Sequence, residues 1–116
     1  MPHVVIELSE NLPLQDGKAL LKAVNETLFA SGEFRAAKDI KSRIYRAPVS
    51  LIGLGEAGDG EHFVVAKIAL LAGRSDDVKS ALVGRVMTVL QAHFADVADV
   101  QYAVEIQDLS AQYLKA

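Results

Sequence analysis

The hydrophobic positions in the first half of the chain predict a strand, a helix and a second strand. The apolar run after His3 predicts a buried strand from Val4 to Leu8. Leucines and valines then recur at intervals of three and four between Gln15 and Ser31, which predicts an amphipathic helix, and Gly32 is a suitable residue to end it. Alternating apolar and polar residues from Ile40 to Ala47 predict the second strand.

The second half repeats this order of elements. Residues 63–71 are almost all apolar and predict a central, buried strand. Ser75 is a favourable N-cap, and a spaced series of valines and leucines predicts a helix from there to about Val97. Alternation returns between Val100 and Gln107, which predicts the last strand, and a short tail follows from residue 110 to residue 116.

Two β-α-β units in one short chain predict a particular architecture. Each helix is long enough to cross over between parallel strands, so each half should hold one parallel pair. We therefore predict a single α/β (α+β) domain, residues 1–116, with halves of about 2–58 and 62–116. Its four-stranded mixed sheet would carry both helices on one face. The other face would be left bare, and an oligomer would cover it.

The composition excludes several classes of function. The hydrophobic fraction of 51% favours an oligomer, while a net charge of −3 gives no basic footprint for nucleic acid. Without cysteine there is no disulfide and no thiol chemistry. No signal peptide or membrane span is evident, so a cytoplasmic location is the default expectation. The glycines of residues 53–60 spell G-x-G-x-x-G, but a predicted strand follows them where a dinucleotide site needs a helix.

The start of the chain carries the strongest candidate for chemistry. Aminopeptidases remove an initiator methionine before a small residue, so the processed chain would begin at Pro2. The nitrogen of Pro2 would then be a secondary amine, held at the end of a strand. Burial disfavours its charged form and would provide a neutral base near pH 7. The alternative is that Met-Pro is a common start without catalytic meaning.

Three positively charged residues are candidates for binding an anionic substrate near this amine. Lys41 and Arg43 lie two residues apart on one strand face, and Arg74 lies at a strand-to-helix turn. Each of them alone is typical of a surface charge. Together with Pro2 they suggest a base surrounded by groups that bind carboxylates. The three histidines lack metal-ligand spacing, so no metal site is predicted.

An ordered set of short segments runs through nearly the whole chain. The set is Met1-Pro2-His3, Glu7, Val24-Asn25 with Thr27-Leu28, Ile40-Lys41-Ser42-Arg43, Ala72-Gly73-Arg74-Ser75 and His93-Phe94. It resembles the 5-carboxymethyl-2-hydroxymuconate isomerase family of the tautomerase superfamily. The resemblance implies a cofactor-independent homotrimer with active sites at or near subunit boundaries, in which Pro2 is catalytic and Arg74 binds substrate. Lys41 stands where the family has its other arginine, and Arg43 matches the second arginine of that segment.

The resemblance implies an isomerase that moves a proton in a 2-hydroxymuconate-type carboxylate during the degradation of aromatic compounds. Its partners would be a small carboxylate substrate and two further copies of the chain. We expect it to bind neither nucleic acid nor a membrane. One alternative is another tautomerase-superfamily reaction, such as a different keto-enol isomerisation, a hydration or a dehalogenation. The other is a non-catalytic oligomer that retains the fold. The sequence leaves open the physiological substrate, the removal of Met1, the choice between Lys41 and Arg43, and which subunit supplies each residue.

Overall fold

The computed structural model describes residues 1–116 and contains the four strands and two helices that the hydrophobic pattern predicts. The strands are β1 (His3–Leu8), β2 (Lys41–Arg46), β3 (His62–Leu70) and β4 (Val100–Asp108), and the helices are α1 (Gly17–Ala30) and α2 (Asp76–His93). Two single 3₁₀ turns, Ala37–Asp39 and Gly58–Gly60, precede β2 and β3.

The sheet has the strand order β2-β1-β3-β4. β1 runs parallel to β2, β3 runs parallel to β4, and the two central strands β1 and β3 are antiparallel. The predicted four-stranded mixed sheet with one parallel pair in each half is therefore confirmed. In this register His3 lies opposite both Lys41 of β2 and Ala69 of β3. The start of β1, the start of β2 and the end of β3 consequently meet at one end of the sheet.

The core lies between the two helices and one face of the sheet. Alternate residues of the two central strands are fully buried there, namely Val4, Ile6, Leu8, Val64, Ala66, Ile68 and Leu70. α1 contributes Leu20, Val24 and Leu28 to the same cluster, and α2 contributes Leu82, Val86 and Leu90. The opposite face of the sheet carries no helix, as predicted, and its central side chains, such as Val5, Val65 and Lys67, are partly or fully exposed.

The ends of the helices follow local chemistry. Ser75 caps α2 as predicted, with its side chain accepting a hydrogen bond from the Val78 amide, and Gly32 has the left-handed φ of 81° expected of a residue that ends a helix. α1 starts at Gly17, two residues after the predicted start, because the Asp16 carboxylate accepts from the Ala19 amide.

The predicted end of α2 near Val97 is wrong. The helix stops at His93, and Phe94 is buried at 2% exposure, while Val97 closes a turn back to the Phe94 carbonyl at 2.9 Å. This turn returns the chain to the edge of the sheet, where β4 begins at Val100. Neither helix combines the length and hydrophobicity that a membrane crossing requires.

Candidate active site at the amino-terminal end of the sheet

Three of the four residues selected from the sequence lie at the end of the sheet where β1 begins. Pro2 is buried, and its carbonyl accepts a hydrogen bond from the Lys41 amide at 3.0 Å. Arg74 follows β3, whose last residues lie beside His3. The positive charges of Lys41 and Arg74 both act on the amino terminus of the chain. The fold therefore places Pro2 and these two cations at the same end of the sheet.

The amino group of Met1 shows the environment at this end. It donates a hydrogen bond to the Asp39 carbonyl at 2.9 Å. Burial lowers the pKa of this amine below its ordinary value, and the ammonium groups of Lys115 and Lys41 lower it further. The Asp39 carboxylate acts in the opposite direction, and Arg74 adds a weaker lowering effect. The surroundings thus favour an uncharged amine.

Asp39 links several of these groups. Its carbonyl oxygen accepts from the Met1 amine and also from the Lys41 Nζ at 3.2 Å, while its carboxylate pairs with Lys115 at 3.5 Å. Burial raises the pKa of the Asp39 carboxyl, but Lys115, the amino terminus and Lys41 together hold it below its ordinary value. The carboxylate therefore stays ionised beside the amine.

Arg43 lies on the same sheet face as Lys41, as predicted, but its charged end has a different partner. Its Nη1 lies 3.3 Å from the His3 Nδ1, and the His3 Nε2 lies 3.0 Å from the Tyr113 hydroxyl. Burial and the neighbouring Arg43 lower the pKa of His3, which favours the neutral ring. Because arginine can only donate, Nδ1 is the acceptor and Nε2 carries the proton. Lys41 instead folds back onto the carbonyls of residues 38 and 39.

Arg74 is fixed before any ligand binds. Its Nε donates to the Glu33 carboxylate at 3.2 Å, its Nη2 donates to the Glu33 carbonyl at 2.8 Å, and its Nη1 reaches the Leu71 carbonyl at 3.4 Å. The guanidinium also lies over the Phe34 ring, 5.0 Å from its centre. A guanidinium has five N–H groups, so one on each Nη remains for a carboxylate.

Two concave surfaces differ in charge. A groove of about 650 Å³ between α1 and the start of β2 is lined by Lys18, Lys22 and Lys41, with Glu26 as its single carboxylate. A smaller cavity of about 250 Å³ is lined by residues of the β1–α1 and β2–β3 connections, at the opposite end of the sheet, and three of them are acidic: Glu10, Asp59 and Glu61. The three lysines of the groove favour an anionic ligand, and of the four residues selected from the sequence only Lys41 lines it.

Sequence reasoning did not select several residues at this site. The period of two along β1 could have placed His3 on the face of Arg43, because the two strands are parallel and in register. Glu33 lies in a connection, Asp39 ends a single 3₁₀ turn, and Tyr113 and Lys115 lie in the tail, so no periodicity could have assigned them a place.

Comparison with protein families identifies the family of the chain. The model of the family described as 5-carboxymethyl-2-hydroxymuconate isomerase matches residues 2–115. The chain belongs to this family. The predicted resemblance is thereby confirmed, and membership of the 5-carboxymethyl-2-hydroxymuconate isomerase family makes the chain an isomerase of the tautomerase type.

Solved structures of similar fold cover almost the whole chain. A 5-carboxymethyl-2-hydroxymuconate isomerase from Deinococcus radiodurans R1 is 28% identical, with a TM-score of 0.89 over 99% of this chain and 88% of that one. A 5-carboxymethyl-2-hydroxymuconate delta-isomerase is 21% identical, with a TM-score of 0.86 over 100% and 87% of the two chains. A fused 4-OT protein, described as a symmetric trimer, is 20% identical, with a TM-score of 0.68 over 97% and 94%. A comparison with curated protein sequences gives no match.

Proposed function

We propose that this isomerase acts without a cofactor on a 2-hydroxymuconate-type carboxylate such as 5-carboxymethyl-2-hydroxymuconate, in the breakdown of aromatic compounds. The observation that carries the proposal is the meeting of Pro2, Lys41 and Arg74 at one end of the sheet, in a chain that belongs to this family. A dicarboxylate or tricarboxylate substrate needs several cations, and this end supplies them.

Removal of Met1 would turn the Pro2 nitrogen into a basic secondary amine. Burial and the surrounding cations lower the pKa of the Met1 amine, and we expect the same groups to favour the neutral form of the Pro2 amine. The amine takes the proton of the 2-hydroxyl group, the C–O bond becomes a carbonyl, and the conjugated double bonds shift. The same nitrogen then returns a proton to a distant carbon. One O–H bond is broken and one C–H bond is formed, so the product is an unsaturated ketone with no net oxidation.

The cations have separate roles in this proposal. Arg74 is preorganised by Glu33 and offers two N–H groups to a substrate carboxylate or to the developing oxyanion. Lys41 supplies positive charge next to Pro2 without the planar geometry of a guanidinium. The guanidinium of Arg43 contacts His3, so we propose Lys41 rather than Arg43 as the second cation that binds a substrate carboxylate.

The direct test is turnover by Met-processed protein, with the new amino terminus verified by mass spectrometry. We expect activity on 5-carboxymethyl-2-hydroxymuconate and weaker activity on 2-hydroxymuconate, followed by the change in ultraviolet absorbance of the dienol. The matched control is the same chain with Met1 retained, in which Pro2 is an amide and has no basic nitrogen. Inactivity of the processed chain on both compounds would contradict the proposal.

A different keto-enol isomerisation, a hydration or a dehalogenation is the second candidate, and Lys41 is the residue that favours it. A point charge in place of a guanidinium changes which carboxylate geometry the site selects. A panel that tests the muconates beside enol, haloacrylate and acetylenic acids separates the two candidates. The first proposal expects the highest kcat/KM on a muconate, and the second expects it on another compound of the panel.

We also propose that the chain is a cytoplasmic homotrimer. The uncovered sheet face holds the partly buried Val5 and Val65, and Tyr45 on the same face remains 59% exposed. The similar fused 4-OT protein is described as a trimer. Sedimentation equilibrium should give three times the monomer mass, and Val65→Asp, which places a charge beside Glu7, should reduce it to that of one chain with unchanged circular dichroism. A wild-type monomer at micromolar concentration would contradict this assembly.

A further inference from the structure

The C-terminal tail, residues 109–116, crosses the end of the sheet at which Pro2 lies. The Leu109 amide donates to the Leu70 carbonyl at the end of β3, at 2.7 Å. The Tyr113 hydroxyl then meets His3 at the start of β1, and Lys115 meets Asp39 just before β2. Successive contacts thus lie one strand further across the sheet, from β4 to β2.

The tail has its own local order. The Tyr113 amide closes a turn onto the Ser110 carbonyl at 3.1 Å, and the Ser110 hydroxyl accepts from the Gln112 amide. The Tyr113 ring meets the His3 ring edge to face, with centres 6.2 Å apart. Leu114, between the two anchoring residues, is 91% exposed, so side-chain contacts of Tyr113 and Lys115 are what hold this part of the chain.

Lys115 is connected to the amino terminus through a single residue. Its ammonium pairs with the Asp39 carboxylate, while the carbonyl of the same Asp39 accepts from the terminal amine. After removal of Met1 the amine lies on Pro2, at most about 3.6 Å further along the chain. The Pro2 carbonyl accepts a hydrogen bond from the Lys41 amide at 3.0 Å, which holds Pro2 at this end of the sheet.

We propose that the C-terminal tail completes the amino-terminal site and that Lys115 is a positioning residue for the Pro2 amine. Its ion pair fixes Asp39 and limits the attraction of that carboxylate for a protonated amine. Its charge also adds to those of Lys41 and Arg74, which makes the neutral base more abundant. This inference deepens the proposed function and rests on it.

The charged groups that act on the amino terminus come from four parts of the fold. The 3₁₀ turn contributes Asp39, β2 contributes Lys41, the β3–α2 turn contributes Arg74, and the tail contributes Lys115. His3 of β1 also interacts with the amino terminus, and Arg43 in turn contacts the His3 ring. Asp39 is the single negative group in this set, so removal of one cation should shift the balance towards the protonated amine.

The test compares Lys115→Ala, Lys115→Arg and Lys79→Ala in Met-processed protein. Lys79 is the matched control, since it forms an ion pair of 3.2 Å with Asp108 and does not face the amine. We expect Lys115→Ala to raise the pKa of the Pro2 amine, followed by NMR of ¹⁵N-labelled proline, by about 0.3 to 0.7. Lys115→Arg and Lys79→Ala should keep the wild-type pKa.

The pH profile gives a second readout. The kcat/KM of Lys115→Ala should fall roughly two- to fivefold on the acid side, where the neutral amine is limiting, and should converge with the wild-type value at higher pH. An unchanged amine pKa, or a fall of equal size at every pH, would overturn the role of Lys115. The NMR titration needs no turnover, so a Lys115-dependent pKa in a protein inactive on muconates would contradict the proposed function and support this inference.

Discussion

Glu33 holds Arg74 by two hydrogen bonds, one from Nε to the carboxylate at 3.2 Å and one from Nη2 to the carbonyl at 2.8 Å. The two residues are 41 positions apart and the Arg74 side chain is only 24% exposed. The guanidinium is therefore oriented by the fold, which is the condition for binding a carboxylate without reorganisation.

Arg74→Ala should lower kcat/KM by about 2 to 4 kcal/mol of transition-state stabilisation, as expected for the loss of one preorganised electrostatic donor. Glu33→Gln should cost less, because the charge of Arg74 remains and its orientation is partly retained. Steady-state kinetics of both variants on the muconate substrate provide the comparison. Equal activity of Arg74→Ala and wild type would exclude Arg74 from the site.

Lys41→Ala should reduce kcat/KM more than Arg43→Ala, because the Lys41 ammonium lies beside the amino terminus while Arg43 is bound to His3. Lys41→Arg should increase the preference for the 5-carboxymethyl substrate over 2-hydroxymuconate, since a planar fork selects carboxylate geometry better than a point charge. Ratios of kcat/KM on the two substrates measure this preference.

Arg46→Ala is a suitable control for these two variants, because Arg46 lies at the other end of β2 and donates to the carbonyls of Ser9 and Glu10. If Arg43→Ala lowers kcat/KM more than Lys41→Ala does, Arg43 is the second cation that binds the substrate carboxylate. If neither change matters while Arg74→Ala does, this strand face does not bind substrate.

Pro2→Ala should retain a low activity, since alanine also provides a terminal amine, but a primary and more flexible one. The loss should appear mainly in kcat, because the carboxylate-binding cations are unchanged. Mass spectrometry must first establish that Met1 has been removed from both proteins. Full activity of a wild-type sample that retains Met1 would rule out the amine mechanism.

Stability should fall as the pH drops below about 6.5, the ordinary pKa of histidine. Burial and Arg43 lower the pKa of His3 in the folded protein, so the unfolded chain binds more protons in the window between the two values. The contribution is present above the unfolded pKa and is lost as the pH falls towards the folded one. Urea unfolding of wild type and His3→Gln at pH 5.5 and 7.5 should show a smaller pH dependence in the variant. An identical dependence would contradict the role of His3.

The repeated order of elements follows from the sequence alone. The period of two in residues 40–47 places Lys41 and Arg43 on one face, and the spacing of Leu20, Val24 and Leu28 identifies the buried side of α1. These are local properties of the backbone, since side chains alternate along a strand and recur every three to four residues along a helix. The same local chemistry identifies Gly32 and Ser75 as helix ends.

The composition of the site was decided by the tertiary structure. The contacts of Lys115 with Asp39 and of Tyr113 with His3 join residues 76 and 110 positions apart. Such contacts depend on the strand order β2-β1-β3-β4 and on the path of the tail across it, which no periodic pattern encodes. The sequence by itself determined the strands, the helices and the candidate base, because these depend on neighbouring residues. Only the folded sheet determined which charges surround that base, because they come from three regions that are distant along the chain, at residues 39–41, 74 and 115.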